Sequence, residues 1–188
     1  MHANLSFDLA ESFEESLSWD EESPGTRYLR VQVSPRINGQ PLLPDGGLVF
    51  DALRVLVVGI ACAELDLYTC GCGVAGCAGI FEDCQTVVSD DSVIWRFPEV
   101  PFAARFAPGI PLELRFSRAD YAAALASLEA NLEARRQACG VPVMLAPCET
   151  VDDREISDAA GTFGEYLEAQ RARYARWIAA VADFGVEA

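Results

Sequence analysis

Four cysteines fall within one short block, "YTCGCGVAGCAGIFEDC", as Cys70, Cys72, Cys77 and Cys84. The spacing is C-x-C-x4-C-x6-C. Four thiolates can close a tetrahedral zinc site, and the glycines between them would let the chain wrap an ion, with Glu82 or Asp83 as a substitute oxygen ligand. The usual structural spacing, two C-x2-4-C pairs on either side of a longer loop, is absent. A redox reading needs a lowered thiol pKa, but the neighbouring charges are Asp66, Glu82 and Asp83, which raise it, and there is no C-x-x-C. A third reading is structural: small, weakly polar cysteines fill a tight connection between strands. Gly71, Gly73, Gly76 and Gly79 support that reading, because closely spaced glycines mark unusual backbone angles or close backbone approach. The expectation is a tight strand-to-strand connection, with zinc on Cys70, Cys72, Cys77 and Cys84 the leading exception and a thiol redox protein the next.

The rest of the composition removes most other chemistry. All 14 basic residues are arginine. Schiff-base chemistry and a Walker A lysine are therefore excluded. The single histidine is His2, which leaves no Ser-His or Cys-His pair within the body of the chain and no histidine-based metal site. Asp90-Asp91 and Asp152-Asp153 read as solvated turns rather than acid/base dyads. Arg135, Arg136, Arg171, Arg173 and Arg176 read as ion-pair partners on polar helix faces. Trp19, Trp95 and Trp177 read as core or interface anchors. A net charge of −15 repels nucleic acid and permits a basic protein partner, although the plainer reading is that it keeps the protein in solution. No apolar run approaches the length of a membrane span. The opening residues lack a basic n-region and an apolar h-region, which predicts a cytoplasmic protein. In that compartment seven cysteines are expected as thiols or metal ligands rather than disulfides. Cys62 reads as core, and a Cys139–Cys148 bridge is disfavoured on the same ground.

These residues need elements to hold them. Leu5, Phe7 and Leu9 alternate as a short strand, and the acidic stretch that follows reads as a solvated arm or short helix, so residues 1–26 form an acidic N-terminal arm. Leu29, Val31, Val33 and Ile37 alternate with polar residues across 28–37, the clearest strand, with Pro35 marking an edge or bulge and Asn38-Gly39 a turn. Asp51 caps a helix carrying Leu53, Leu56, Val57, Ile60 and Ala61, with a buried strand over "VLVV" competing. Strands are expected over 65–69, 79–88, 92–98 and 112–116. Ser117 with Asp120 opens a helix whose stripe is Tyr121, Leu125, Leu128 and Leu132, ending at Gly140; Thr162 with Glu165 opens another, carrying Phe163, Leu167, Tyr174, Trp177, Ile178 and Val181. Strands followed by helices predict one α+β domain over 1–188: an antiparallel β-sheet with helices packed on one face and the helices C-terminal.

The block from 65 to 98 resembles a family of uncharacterised bacterial proteins that share a strand, a T-C-S-C-G-x-x-G-C-A-G-I turn, a short hairpin and a V-x-W strand. It is carried here by Thr69-Cys70-Gly71-Cys72-Gly73, Gly76-Cys77-Ala78-Gly79-Ile80 and Val93-Ile94-Trp95, with Gly71 where the family pattern has serine. The strand over 28–37 and the Tyr121 helix fit the same layout; the C-terminal third does not take part. The resemblance implies this fold and the importance of the turn, and it supplies no mechanism. The reading is a non-enzymatic, acidic interaction protein of the immunity or adaptor kind, without nucleic acid or membrane, able to form a homodimer through its apolar C-terminal helix.

Overall fold

The computed structural model describes residues 2–15, 25–44, 47–61, 63–65, 67–71, 76–82, 84–147 and 161–184, without the side chains of 63–65 and 177–184. Strands β1 (Leu5–Glu15) and β2 (Arg27–Ile37) pair antiparallel along their whole length, from Leu5 opposite Ile37 to Glu15 opposite Arg27. The acidic stretch through Glu15 is thus a strand, not an arm or helix. Its charge is met by arginines: Asp8 lies 2.6 Å from Arg36, Glu14 lies 3.3 Å from Arg30, and Glu11 pairs with Arg135. Alternation across 28–37 holds, with Leu29, Val31, Val33 and Ile37 buried.

Pro35 sits in a central strand, because β10 (Val143–Leu145) and β3 (Gln40–Pro41) pair with the side of β2 opposite β1. A proline is tolerated because the residue across from it, Leu42, donates its N–H to the Pro35 carbonyl at 2.9 Å, while the Leu42 carbonyl, which a Pro35 N–H would have met, accepts instead from the Ala107 N–H at 3.1 Å. Asn38 and Gly39 have φ of 51° and 82°, the two left-handed residues a tight hairpin requires. β10 is a strand that no sequence pattern announces. It is three buried apolar residues in parallel register with β2, so it shows no alternation.

A second, antiparallel sheet has the order β5 (Ala63–Leu65), β7 (Cys84–Val88), β8 (Ser92–Arg96) and β9 (Glu113–Ser117). A two-stranded piece, β4 (Val49–Phe50) with β6 (Tyr68–Thr69), contacts β2 of the first sheet through β4. The expected strand over 65–69 is therefore split between two sheets, and that over 79–88 starts only at Cys84. The α+β class holds, divided among several sheets. Helix α1 (Ala52–Val58) is short: Asp51 accepts the Arg54 N–H at 3.0 Å, and Gly59 at φ 59° ends the helix before Ile60 and Ala61. A single turn, α2 (Glu99–Phe102), follows β8.

Helix α3 (Arg118–Cys139) has the expected cap, stripe and stop. Ser117 Oγ accepts the Asp120 N–H at 3.0 Å, Tyr121, Leu125, Leu128 and Leu132 are buried, and Gly140 adopts φ 68°. Helix α4 (Phe163–Phe184) opens on a reciprocal capping box: Thr162 N–H donates to Glu165 at 2.8 Å, and Glu165 N–H donates to Thr162 Oγ1 at 3.1 Å. Phe163, Tyr166 and Leu167 bury their side chains. Trp95 lies at the centre, in ring contact with Phe50, Phe97, Phe116 and Tyr121, and its indole N–H donates to the Tyr121 hydroxyl at 3.3 Å. Burial pushes the Tyr121 pKa up to about 12. Trp19 lies outside the described residues, as does the Trp177 side chain.

Candidate functional site

Strand β6 leads into the cysteine turn with both of its side chains buried, and Thr69 Oγ1 donates to the Cys70 carbonyl at 3.0 Å. Cys70 is disulfide-bonded. That corrects the expectation of thiols or metal ligands at this position. Cys72, Gly73, Asp66 and Asp83 lie outside the described residues, as do Cys62 and Cys148. Cys139 is an exposed thiol at the end of α3.

After the turn the chain forms one 3₁₀ turn, Gly76–Ala78, closed by the Gly79 N–H donating to the Gly76 carbonyl at 3.1 Å. Cys77 is exposed there, as a thiol. Gly79 has φ 75° and needs to be glycine. Gly71 and Gly76 do not: neither has positive φ, and a Cβ built on either meets nothing within 4 Å. Among the described glycines of the turn, the argument thus rests on Gly79. Ile80 then turns inward and Phe81 outward, 85% exposed.

Cys84 is the first residue of β7 and points the other way from Cys77, into the core. It shares the buried face of β7 with Thr86 and lies near Tyr68. Burial, then the adjacent Cys84, pushes the Tyr68 hydroxyl well above its ordinary pKa. The Tyr68 and Thr86 hydroxyls make no hydrogen bond. Of the four proposed ligands, then, Cys70 is in a disulfide, Cys77 faces solvent and Cys84 faces the core. Among the described residues no group of three metal-ligating side chains comes together. A sulfur in a disulfide is not a thiolate ligand, so zinc at this turn would require the Cys70 bond to be opened.

The other sequence candidates resolve simply. Asp91 accepts from Ser89 Oγ at 2.9 Å in the β7–β8 hairpin, and this bond lowers its pKa, so it is part of a turn and not of a dyad. Asp152 and Asp153 lie outside the described residues. Arg136 pairs with Glu133 and Arg171 with Glu168 within their helices, whereas Arg135 reaches across to β1.

A concavity that no motif announced lies between β1 and α3. It encloses about 510 Å³ and is bordered by Leu5, Phe7 and Leu9 on the strand and by Asp120, Ala124 and Ser127 on the helix, with His2 at one end. The only sequence signal for it is the run of small residues in "YAAALAS", which keeps that flank of α3 low. No protein-family model, no curated protein and no solved structure matches this chain. No helix among the described residues is long and apolar enough to cross a membrane.

Proposed function

We propose that this chain is a non-enzymatic, acidic protein-interaction module, of the immunity or adaptor kind, whose partner is a basic protein. The supporting observation is the distribution of charge. Arg30, Arg36, Arg54, Arg96, Arg135, Arg136 and Arg171 are each taken up in an ion pair with a carboxylate of the same chain. The chain carries 29 carboxylate side chains against 14 arginines, −15 overall, so its surplus charge is carboxylate. Such a field steers and holds a cationic surface. Affinity capture at low ionic strength, with identification of what is bound, tests this. The expected partner has a high isoelectric point, and its affinity falls steeply as salt is added. Capture of no protein at low salt, or binding that ignores salt, overturns the proposal.

One observation favours a second reading, thiol–disulfide exchange at the turn. Cys70 is disulfide-bonded while Cys77, on the 3₁₀ turn packed against the same strand, is an exposed thiol. Fast alkylation of Cys77 in the native protein supports exchange; a rate no faster than that of a small unhindered thiol removes it. Elemental analysis before and after mild reduction tests zinc on the same sample. Stoichiometric zinc, together with a lower Tm on chelation, would revive the metal site at Cys70, Cys72, Cys77 and Cys84.

A further inference from the structure

We infer that the cleft beside β1 is a strand-docking groove, occupied by an extended basic segment of the partner that adds itself to the open edge of β1. This rests on the interaction-module reading and says where and how the module binds.

The backbone supplies the first argument. The Asn38 N–H donates to the Asn4 carbonyl at 2.9 Å, and the register continues without a break to Glu15 opposite Arg27. In an antiparallel pair, residues alternate between facing the partner strand and facing away. Even-numbered residues of β1 therefore spend their N–H and C=O groups on β2, and Leu5, Phe7 and Leu9 turn theirs outward. Among the described residues no strand pairs with that outer edge. Ala3, in the same phase, shows what the edge can hold: its N–H donates to the Arg115 carbonyl of β9 at 2.7 Å. This bond closes one end of the cleft, and beyond it the row of donors and acceptors is open.

The groove wall supplies the second argument. Helix α3 runs along the same edge, and there it presents Ala123, Ala124 and Ser127. Larger side chains at these positions would fill the space a strand needs. A strand added to β1 would direct alternate side chains at this small, largely apolar wall and the others to the face that carries Ser6 and Asp8.

Charge selects the occupant. β1 carries no cation of its own; of its carboxylates Glu11 and Glu14 are taken up by Arg135 and Arg30, which leaves Asp8 as its acidic group nearest the cleft. Asp8 stays more than half exposed despite its pair with Arg36, and Asp120 stands at the helix end of the cleft. Cross-strand neighbours of opposite sign stabilise a pair and those of like sign oppose it. The fitting segment therefore alternates arginine or lysine with apolar residues. A second copy of this chain supplies no cation: antiparallel self-pairing about Phe7 sets Asp8 opposite Ser6 and brings the two Asp8 carboxylates diagonally near each other.

The test uses the full chain and a short synthetic peptide of alternating Arg and Val, with an alternating Glu and Val peptide as the control. The Arg peptide is expected to bind and the Glu peptide not to. On binding, amide hydrogen exchange should slow at Leu5, Phe7 and Leu9, whose N–H groups face outward, with little change at Ser6 and Asp8, which are already bonded to β2. Ser127→Trp, at an exposed position, should fill the groove and weaken binding roughly tenfold or more without lowering Tm. If the Arg peptide binds without that alternating protection, the groove inference fails while the interaction-module reading stands. If neither the peptide nor any basic protein binds at low salt, both fail. Equal binding of the two peptides, or a concentration-dependent dimer abolished by Ser127→Trp, also overturns the inference, the latter by assigning the groove to self-association.

Discussion

Helix α3 follows β9 and the cysteine turn precedes β7 of the same sheet, and the two are held by different means. α3 is held redundantly: a cap at Ser117, a four-residue buried stripe, the Trp95–Tyr121 contact and a left-handed stop at Gly140. The cysteine turn has few such supports. A disulfide at Cys70, one left-handed glycine, a buried thiol at Cys84 and the inward Ile80 hold the described part of it. Redundant local support makes a rigid platform, and sparse support makes a segment whose behaviour hangs on single residues.

The largest effect should come from the platform. Trp95 is fully buried and touches four aromatic rings. Trp95→Ala should cost about 3–5 kcal/mol, measured by denaturant unfolding, because the cavity cannot close against so many rings. A loss below about 1 kcal/mol would mean that the aromatic cluster relaxes around the hole and that the platform is less rigid than its contacts imply. Within the turn, the two described thiols should separate cleanly. Cys84→Ala should cost about 1–2 kcal/mol, as expected for emptying a small buried volume, and Cys77→Ala should change stability by less than about 0.5 kcal/mol. Equal costs would show that the inward and outward assignments are wrong.

The same contrast explains which elements are legible in the sequence. α3 is legible because cap, stripe and stop are all local: Ser117, Tyr121, Leu125, Leu128, Leu132 and Gly140 signal one helix without reference to the rest of the chain. Asn38-Gly39 is legible for the same reason. β10 is not, because Val143, Met144 and Leu145 have no period and their partner strand is far away along the chain. The extension of β1 to Glu15 is hidden because the arginines that neutralise it belong to β2 and α3. The cysteines are legible as a cluster but not in their fates. Whether Cys84 faces the core depends on where β7 starts, and that is set by the turn before it. The cleft beside β1 leaves almost no trace, since it depends on an edge that no described strand covers.

Glu133 joins the platform to α4. Its carboxylate accepts from Arg136 at 2.7 and 2.9 Å and from the Phe163 N–H at 2.8 Å, at the first residue of α4. These bonds, that of Arg136 first, lower its pKa from 4.5 to about 2. The folded value lies below the unfolded one, so the contribution is present above about pH 4.5 and is lost as pH falls towards 2. Glu133→Gln should cost about 1 kcal/mol at neutral pH, comparable to the loss of a helix cap. It should cost progressively less below pH 4.5, and the two unfolding curves should converge near pH 2. A constant difference across that range would assign the effect to shape rather than charge.

The finest test of the contrast lies in the glycines of the turn. Gly79 at φ 75° adopts a backbone that a β-carbon opposes, although a Cβ there meets nothing within 4 Å. Its cost on substitution is therefore conformational and not steric. Gly79→Ala should destabilise by about 1 kcal/mol. Gly71 and Gly76 have neither the positive φ nor a close neighbour. Alanine at either should be neutral or stabilising by up to about 1 kcal/mol, because it restricts the unfolded chain without straining the folded one. Were all three to cost the same, the turn would be held by close approach at every glycine, as the spacing alone suggests. A cost at Gly79 only would place the conformational demand of the described turn at the one residue that carries the chain from the 3₁₀ turn back into the core at Ile80.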